Sequence, residues 1–412
     1  MNAKDVIYLS YDGMTDPLGQ SQVIPYLRGL SLMGYRFHLI SFEKNDRFHQ
    51  SGEKIKNILL EAGIQWYPLP YTKTPPVLST LKDFRAMLAK AKEIMGRHEV
   101  ALLHCRSYIS ALAGLEIKKR FNIPFVFDMR GFWADERIDG KIWNLSNPVY
   151  KFIYDFFKRK EKAFLQQSAH VVSLTENAKR EILSWNLSGL SPGKITVIPC
   201  CADLGHFHPD RVDSALSRKL RNELNLPESC KILIYLGSLG TWYMSEEMMQ
   251  FFSVLRKQDP DYLFLLVTRD SAEMLESLCR KYEIPPASIR VKSAERDEVP
   301  ALIAMSTASV FFILPSYSKK ASSPTKLAEL MAMGIPVICN EGVGDVAEII
   351  EKSNAGWAVS DFSAASLDTV AHKLINSEAI DRQKLRKAAE EYGSLEKGVM
   401  AYAGIYKSLL NP

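Results

Sequence analysis

The sequence predicts an α/β protein built from two doubly wound parallel sheets in tandem, and three observations carry that prediction. Short β-branched or aromatic runs alternate with longer segments of helical periodicity, the alternation comes in two series, and a polar, proline-containing stretch separates them. At 412 residues and 47% hydrophobic, the chain is also longer than one ordinary domain and apolar enough to fill two cores.

In the first series the runs fall at residues 6–10, 37–42, 101–104, 125–128, 170–174 and 195–198. Each is short and apolar without strict alternation, as strands covered by helices on both faces are. The second series lies at 232–236, 263–267, 289–291, 308–313 and 337–339. The stretch IPCCADLGHFHPD closes the first series before a charged helix opens, which sets the boundary at 203–209 and the domains at 1–205 and 206–393. The last segment, 394–412, carries Val399, Tyr402, Ala403, Tyr406 and Leu409 at helical spacing and is assigned to the first domain as a helix crossing back. A cleft between two such domains is the default ligand site.

A formal charge of +5 comes from 52 basic and 47 acidic residues with no long single-sign tail. That balance suits an anionic substrate or an acidic membrane surface and argues against nucleic acid as a partner. The six cysteines form no C-x-x-C pair and no Cys/His ligand spacing, so neither a zinc site nor a disulfide framework is expected, and a reducing cytoplasm fits. MNAKDVIYLSYDG runs straight into a strand without the apolar core of a signal peptide, and the longest apolar stretch, 299–314, is interrupted by Ser and Thr. Any membrane contact is therefore expected to be peripheral. Residues 150–164 mix aromatic and basic side chains, which fits either a membrane-surface helix or a core helix whose lysines reach water. His104, His170, His206 and His208 have no metal-ligand spacing and read as structural, as do the adjacent thiols Cys200 and Cys201.

The segment ASSPTKLAELMAMGIP, which begins at Ala321, specifies a helix with both ends marked: Ser323 as N-cap, Pro324 in the first turn, Gly334 at the close. On a 3.6-residue wheel Leu327, Leu330 and Met331 share one face, leaving Thr325, Lys326 and Glu329 on another. Two readings fit. A helix N-terminus with a lysine and a hydroxyl suits a diphosphate, and a carboxylate one turn deeper suits a ribose diol. Alternatively, the three residues form a solvated polar face with an i,i+3 ion pair. The neighbouring loops favour the first. YLGSLGTWY ends the first strand of this half with Gly237 and Gly240, which permit close backbone approach where doubly wound sheets bind ligands. Arg269, after the next strand, is either a second cation at that edge or an ordinary surface arginine, and NEGVGD from Asn340 adds a further glycine-containing loop.

At these residues the chain resembles the retaining glycosyltransferases of family 4, which have the GT-B fold of two Rossmann-like domains facing a cleft. The matching segments are LSYDGMTDPLGQSQVIPYLRGLSLMGYRFHLIS, VIPCCADLGHFHP, YLGSLG and SPTKLAELMAMGIPVICNEGVGD, spread over nearly the whole chain. The resemblance implies that Glu329 is the second glutamate of the family's E-x7-E motif and holds the donor ribose. It places Lys326 and Thr325 beside the diphosphate, Ser293 in the loop that meets the base, and Gly19 in the glycine loop after strand one near the donor phosphates. The Asp128-Met-Arg-Gly-Phe-Trp segment would line the acceptor side. Four positions depart from the pattern. The first glutamate of E-x7-E falls at Ala321; the Arg and Lys that follow the first strand of the second domain appear as Ser238 and about Tyr243; and a histidine near the reacting sugar appears as Arg130. Lys326, Arg269, Lys319 and Lys320 are then the candidates to meet the diphosphate charge, alongside the backbone at Gly237 and Ser238.

The implied reaction is transfer of a sugar from a nucleotide diphosphate donor, with a UDP-sugar favoured, to a glycan, lipid-linked or small-molecule acceptor. Bacterial surface-polysaccharide assembly is the implied setting. Negative charge grows on the departing diphosphate, and Lys326 with the helix N-terminus can stabilise it without a metal or other cofactor. Asp128 and Arg130 are candidates for orienting the acceptor or the transferred sugar, while a strand-end carboxylate capping a turn is the other reading of Asp128. The rivals are a nucleotide-sugar epimerase of similar architecture and a non-catalytic nucleotide-sugar or polysaccharide-binding protein.

Overall fold

The computed structural model describes residues 4–75, 77–271, 273–377 and 380–410. It contains two compact units, one of Met1–Cys201 with Leu395–Pro412 and one of Ala202–Ser394. The crossing falls at Cys201/Ala202, four residues before the expected 205/206, and the return falls after Ser394. Ala202 belongs to the second unit because its N–H donates to the Gly393 carbonyl, beside a parallel bridge to Ser394.

The first unit is a seven-stranded parallel sheet: β1 (Asp5–Ser10), β2 (Arg36–Glu43), β3 (Gln65–Pro70), β4 (Val100–Arg106), β5 (Phe125–Asp128), β6 (His170–Ser173) and β7 (Ile195–Val197). Their spatial order is β3-β2-β1-β4-β5-β6-β7, so the direction of winding reverses between β1 and β4. The strand β3 is absent from the sequence expectation. It reads QWYPLP, has two prolines and no β-branched residue, and lies at an edge where a missing N–H is tolerated.

The helix Leu395–Leu410 completes this unit by packing on the helix Ile24–Leu32. Small residues set that contact. A Cβ at Gly29 would lie 2.7 Å from the Val399 side chain, and one at Gly398 would lie 2.8 Å from the Tyr26 ring and 2.9 Å from Cys201 Sγ. Val399, Tyr402 and Tyr406 are thereby buried in the core of the first unit. In the helix Pro148–Gln167, Phe157, Phe164 and Leu165 face the core while Val149 and Phe152 are exposed, so the core-helix reading holds for its second half. Among the described residues no helix is long and apolar enough to cross a membrane.

The second unit is a six-stranded parallel sheet: β8 (Lys231–Leu236), β9 (Tyr262–Val267), β10 (Ile289–Lys292), β11 (Ala308–Val310), β12 (Val337–Asn340) and β13 (Gly356–Val359). The order is β10-β9-β8-β11-β12-β13, with winding reversed between β8 and β11. Two expectations change here. The strand expected at 308–313 ends at Val310, because the chain then leaves the sheet to run antiparallel to the loop after β8. Met244 N–H donates to the Phe312 carbonyl at 3.0 Å and Leu314 N–H to the Trp242 carbonyl at 2.8 Å. Asn340 holds that exit in place, accepting from Ile313 N–H at 2.8 Å and donating to its carbonyl at 2.9 Å. The strand β13, unexpected from the sequence, is again a short edge strand.

Gly356 opens β13 with φ +146°, and a Cβ there would lie 2.0 Å from the Val337 carbonyl oxygen on β12. Gly356→Ala is expected to cost about 2–4 kcal/mol, from backbone strain plus the broken β12–β13 register. Calorimetric melting should show the fall in the second unit's transition, and an unchanged midpoint would show that the edge can shift without penalty.

Candidate functional site

In the second unit Gly237 and the helix that carries Thr325, Lys326 and Glu329 meet where the winding reverses, whereas Arg269 and Ser293 follow the outer strands β9 and β10. The helix there begins at Thr325, one residue later than expected: Pro324 is the N-cap with extended backbone, and Ser323 lies outside the helix. Gly334 follows its end at φ +71°. Leu327, Ala328, Leu330, Met331 and Ala332 are buried, and so is Lys326, at 6% exposure. The solvated-face reading therefore fails for the lysine. Glu329 and Thr325 are half-buried on either side of it.

Lys326 Nζ sits under three aromatic rings, 4.6 Å from the centroid of Tyr235, 3.9 Å from Tyr243 and 5.5 Å from Phe311. Among the described residues it has no hydrogen-bond partner. Ring faces attract an ammonium but do not replace its water shell. Burial therefore outweighs the opposing Glu329 carboxylate and lowers the lysine pKa from 10.5 to about 7. Burial also raises the Glu329 pKa, against the charges of Arg296 and Lys326.

Gly237 follows β8 at φ +131°, and a Cβ on it would lie 2.9 Å from Lys326 Nζ. The exposed Ser238 offers its carbonyl to the Tyr235 hydroxyl, and Leu239 N–H donates to Asp270 Oδ2 at 2.5 Å, which fixes the loop. Arg269 is exposed and paired with Glu295 at 3.0 Å, the surface-arginine alternative. Ser293 is exposed immediately after β10, two strands from β8. Ala321 is buried, ending a short turn of helix at Ser318–Ala321. Lys319, close by, places its Nζ 3.6 Å above the Trp242 ring.

In the first unit, the carboxyl edge around β1, β4 and β5 holds a buried polar network. Asp128 ends β5 at 1% exposure, and its Oδ2 accepts from the Tyr402 hydroxyl at 3.1 Å and His104 Nε2 at 3.4 Å. Arg130 Nη1 lies 3.7 Å from Oδ1 and Arg106 Nη1 lies 4.0 Å from Oδ2. Burial alone would raise the Asp128 pKa, but Arg130, His104 and Arg106 together bring it down to about 2. Burial lowers the pKa of His104. A carboxylate accepts only, so His104 carries its proton on Nε2 and accepts from the Tyr406 hydroxyl at Nδ1, 2.6 Å away. Asp128 Oδ1 and Arg106 Nη1 have no hydrogen-bond partner among the described residues. Arg130 has φ +56° and donates to Cys200 Sγ at 3.2 Å.

Gly19 requires a correction. It lies inside the helix Pro17–Gln22, not in the loop after β1, and is buried where a Cβ would come 2.2 Å from the Gly13 carbonyl oxygen. The loop itself turns at Gly13 and is organised by Glu43. That carboxylate accepts from Met14 N–H at 2.7 Å, Thr15 N–H at 3.0 Å, the Thr15 hydroxyl at 2.6 Å and the Ser41 hydroxyl at 2.6 Å. Sequence reasoning also passed over Arg106 and took His104 as merely structural. A charged residue ending the apolar run LLHC at a carboxyl edge was the available signal for Arg106.

Comparison with known proteins decides the family. Residues 21–206 match the family model Glycosyltransferase Family 4, and residues 217–392 match Glycosyl transferases group 1. The chain belongs to the family 4 glycosyltransferases. It is 22% identical over 307 residues to a D-inositol 3-phosphate glycosyltransferase of Pseudarthrobacter chlorophenolicus, covering 72% of this chain and 67% of that one. Among solved structures it resembles a glycosyltransferase from Rickettsia africae, with TM-score 0.74 and 16% identity over all of both chains. It also resembles Anabaena HepE in complex with UDP and glucose, with TM-score 0.70 and 13% identity over 98% of this chain and 99% of that one. The fold of this glycosyltransferase is GT-B.

A lysine with pKa near 7 in the native state and 10.5 when unfolded leaves the unfolded chain holding the extra proton between those values, so stability rises with pH across that window. Lys326→Met is expected to stabilise the enzyme near pH 6.5 by roughly 1–3 kcal/mol and to remove this part of the rise towards pH 9.5. Melting temperatures of both proteins measured against pH check this. Parallel curves would show that the ammonium is solvated.

Proposed function

We propose that this glycosyltransferase transfers a sugar with retention from a UDP-sugar to a glycan, lipid-linked or small-molecule acceptor, without a metal. In this reading the second unit holds the nucleotide diphosphate and the first contributes the acceptor-side groups. The observation that carries it is the buried ammonium of Lys326, without a hydrogen-bond partner among the described residues, beside Gly237 at the point where the strand order reverses. Such a cation is costly to bury, and a diphosphate is the kind of ligand that satisfies it, together with backbone N–H groups at a helix start. Support for uridine comes from the solved relative that holds UDP and glucose.

Bound in this way, the diphosphate meets Lys326 and the Thr325 hydroxyl, and the ribose diol meets Glu329 one turn deeper. Gly237 and Ser238 let the backbone approach the phosphates, and Ser293 faces the base. Arg269 reaches the donor by exchanging its ion pair with Glu295. As the bond to the anomeric carbon breaks, Lys326 stabilises the charge developing on the departing diphosphate. Asp128, ionised across the physiological range, orients the acceptor or the transferred sugar together with Arg130. A cytoplasmic setting fits six free thiols. Surface-polysaccharide assembly is the process to which we assign it.

The test is a calorimetric binding screen with chelator present, against UDP, GDP, UDP-glucose, UDP-N-acetylglucosamine and GDP-mannose. Micromolar binding of UDP and of one UDP-sugar is expected; a preference for GDP would overturn the base, and binding of none would remove the donor site. Glu329→Ala should weaken UDP and uridine alike, by about tenfold or more. Lys326→Ala should weaken UDP by a similar factor and leave uridine unchanged, whereas equal losses would move the lysine away from the phosphates.

Turnover separates the two units. Asp128→Asn should reduce transfer by about 100-fold or more while UDP affinity stays within about twofold of the parent. Loss of UDP binding in that variant would assign Asp128 a structural role. The anomeric configuration of the product, read by nuclear magnetic resonance, tests retention.

A further inference from the structure

At the amino edge of the first unit's sheet, opposite the edge that carries Asp128, three side chains from separate elements converge. Asp5 opens β1, His38 is the third residue of β2, and His98 lies in the short connection between the helix Leu78–Met95 and β4. One ligand atom from each lies within 4.8 Å of the other two, in the one such group found among the described residues. We propose that Asp5, His38 and His98 form a binding site for a single divalent transition-metal ion of the zinc type.

The hydrogen bonding around His38 carries the proposal. Tyr67 on β3 donates its only hydroxyl proton to Gln65 Oε1 at 2.8 Å, so towards His38 Nδ1, 3.3 Å away, the hydroxyl oxygen can only accept. His38 is then protonated on Nδ1, and its Nε2 lone pair faces Asp5 Oδ1 at 3.7 Å. Both atoms are acceptors, and both residues are buried, at 2% and 4% exposure. Two acceptors facing each other away from water repel unless a cation serves them, a part that Arg36 plays for Asp5 here and that a metal would play for both. An imidazole whose far N–H is fixed by an outer hydrogen bond is the arrangement in which histidine binds metal.

The spacing also fits. Zinc with nitrogen and oxygen ligands at about 2.0–2.2 Å in tetrahedral geometry puts ligand atoms about 3.3 Å apart. The His38–Asp5 pair is within a few tenths of an ångström of that. The ring of His98 is 4.3 Å from that of His38 between centroids, and its half-buried position lets it close the rest of the distance. Its backbone is held by a 2.9 Å bond from its N–H to the Ile94 carbonyl. A water completes the fourth position.

Arg36 is the competitor. Its guanidinium makes two bonds to the Asp5 carboxylate, at 2.7 and 3.1 Å, from a side chain that is 60% exposed and free to withdraw. A metal here would tie the starts of β1, β2 and β4 together, at the edge of the sheet remote from the proposed acceptor groups.

The 412-residue enzyme, stripped with chelator and dialysed, is titrated with zinc chloride by calorimetry and with cobalt(II) chloride by visible absorption. One equivalent of zinc should bind with Kd of about 1 µM or tighter, and cobalt should give the bands of a four-coordinate nitrogen and oxygen site. His98→Ala, in a connector outside the core, should weaken zinc at least about thirtyfold and abolish the zinc-induced rise in melting temperature. Arg36→Ala should strengthen zinc by about threefold or more by removing the competitor. Equal zinc affinity in the parent and His98→Ala, or the absence of a one-to-one complex in the parent, would overturn the proposal. Should His98→Ala fail to fold, the Arg36→Ala comparison decides alone: unchanged or weaker affinity counts against the site.

Discussion

In the second unit the ammonium of Lys326 lies against the rings of Tyr235, Tyr243 and Phe311, with no hydrogen-bond acceptor among the described residues. Much of the surrounding architecture serves to hold it there. Tyr235 is the fifth residue of β8, and its hydroxyl is tied to the carbonyl of Ser238, so the ring cannot swing away. Tyr243 is held because the loop after β8 pairs antiparallel with the chain leaving β11, through the bridge from Tyr243 to Ile313. Asn340 at the end of β12 fixes Ile313 in turn. Three neighbouring strands therefore contribute to confining one charge, at a site where water would otherwise stabilise it by several kcal/mol.

The first unit solves the opposite problem, holding an anion dry. Asp128 keeps its charge because Arg130, His104 and Arg106 surround it, and because hydroxyls from a helix near the end of the chain reach it and its neighbour. Tyr402 and Tyr406 are a helical turn apart, so one face of the helix Leu395–Leu410 serves both Asp128 and His104. The close packing at Gly29 and Gly398 sets how deeply that helix sits, and hence whether the hydroxyls arrive within hydrogen-bond distance. Packing near the surface of the unit and electrostatics at its centre are one constraint.

Most of the fold was legible because buried parallel strands leave a plain mark, an apolar run at a carboxyl edge followed by a helix. The run FVFD was placed to the residue. The strands that escaped notice, QWYPLP and GWAV, are edge strands whose composition packing does not dictate. The candidate site was legible in type more than in placement. Thr325, Lys326 and Glu329 do share one helix, but a wheel assigns a lysine to a polar face by its chemistry, and only the rings that cover Lys326 show that its side chain turns inward. Gly19 misled for a related reason: sequence shows that a glycine is present without showing whether a ligand or its own chain occupies the space beside it. Arg106 and Glu43 act through partners distant in sequence, which no local pattern reports.

The cage around Lys326 bears on the departure at Tyr243 in the loop after β8. If a cation stood at position 243, as the family pattern would have it, its charge would share a poorly hydrated space with an ammonium whose nitrogen lies 3.9 Å from the ring now there. Like charges a few ångströms apart at low effective dielectric repel by several kcal/mol, more than the site could hold in the absence of an anion. A lysine at 326 and an aromatic at 243 are therefore compatible: the helix carries the cation, and the loop supplies a ring face that tolerates it. In the proposed donor site the diphosphate then meets its charge from the helix side, alongside the N–H groups that the same helix start presents. In that proposal leaving-group stabilisation rests on one element, which ties the strength of donor binding to the position of the helix Thr325–Ala332.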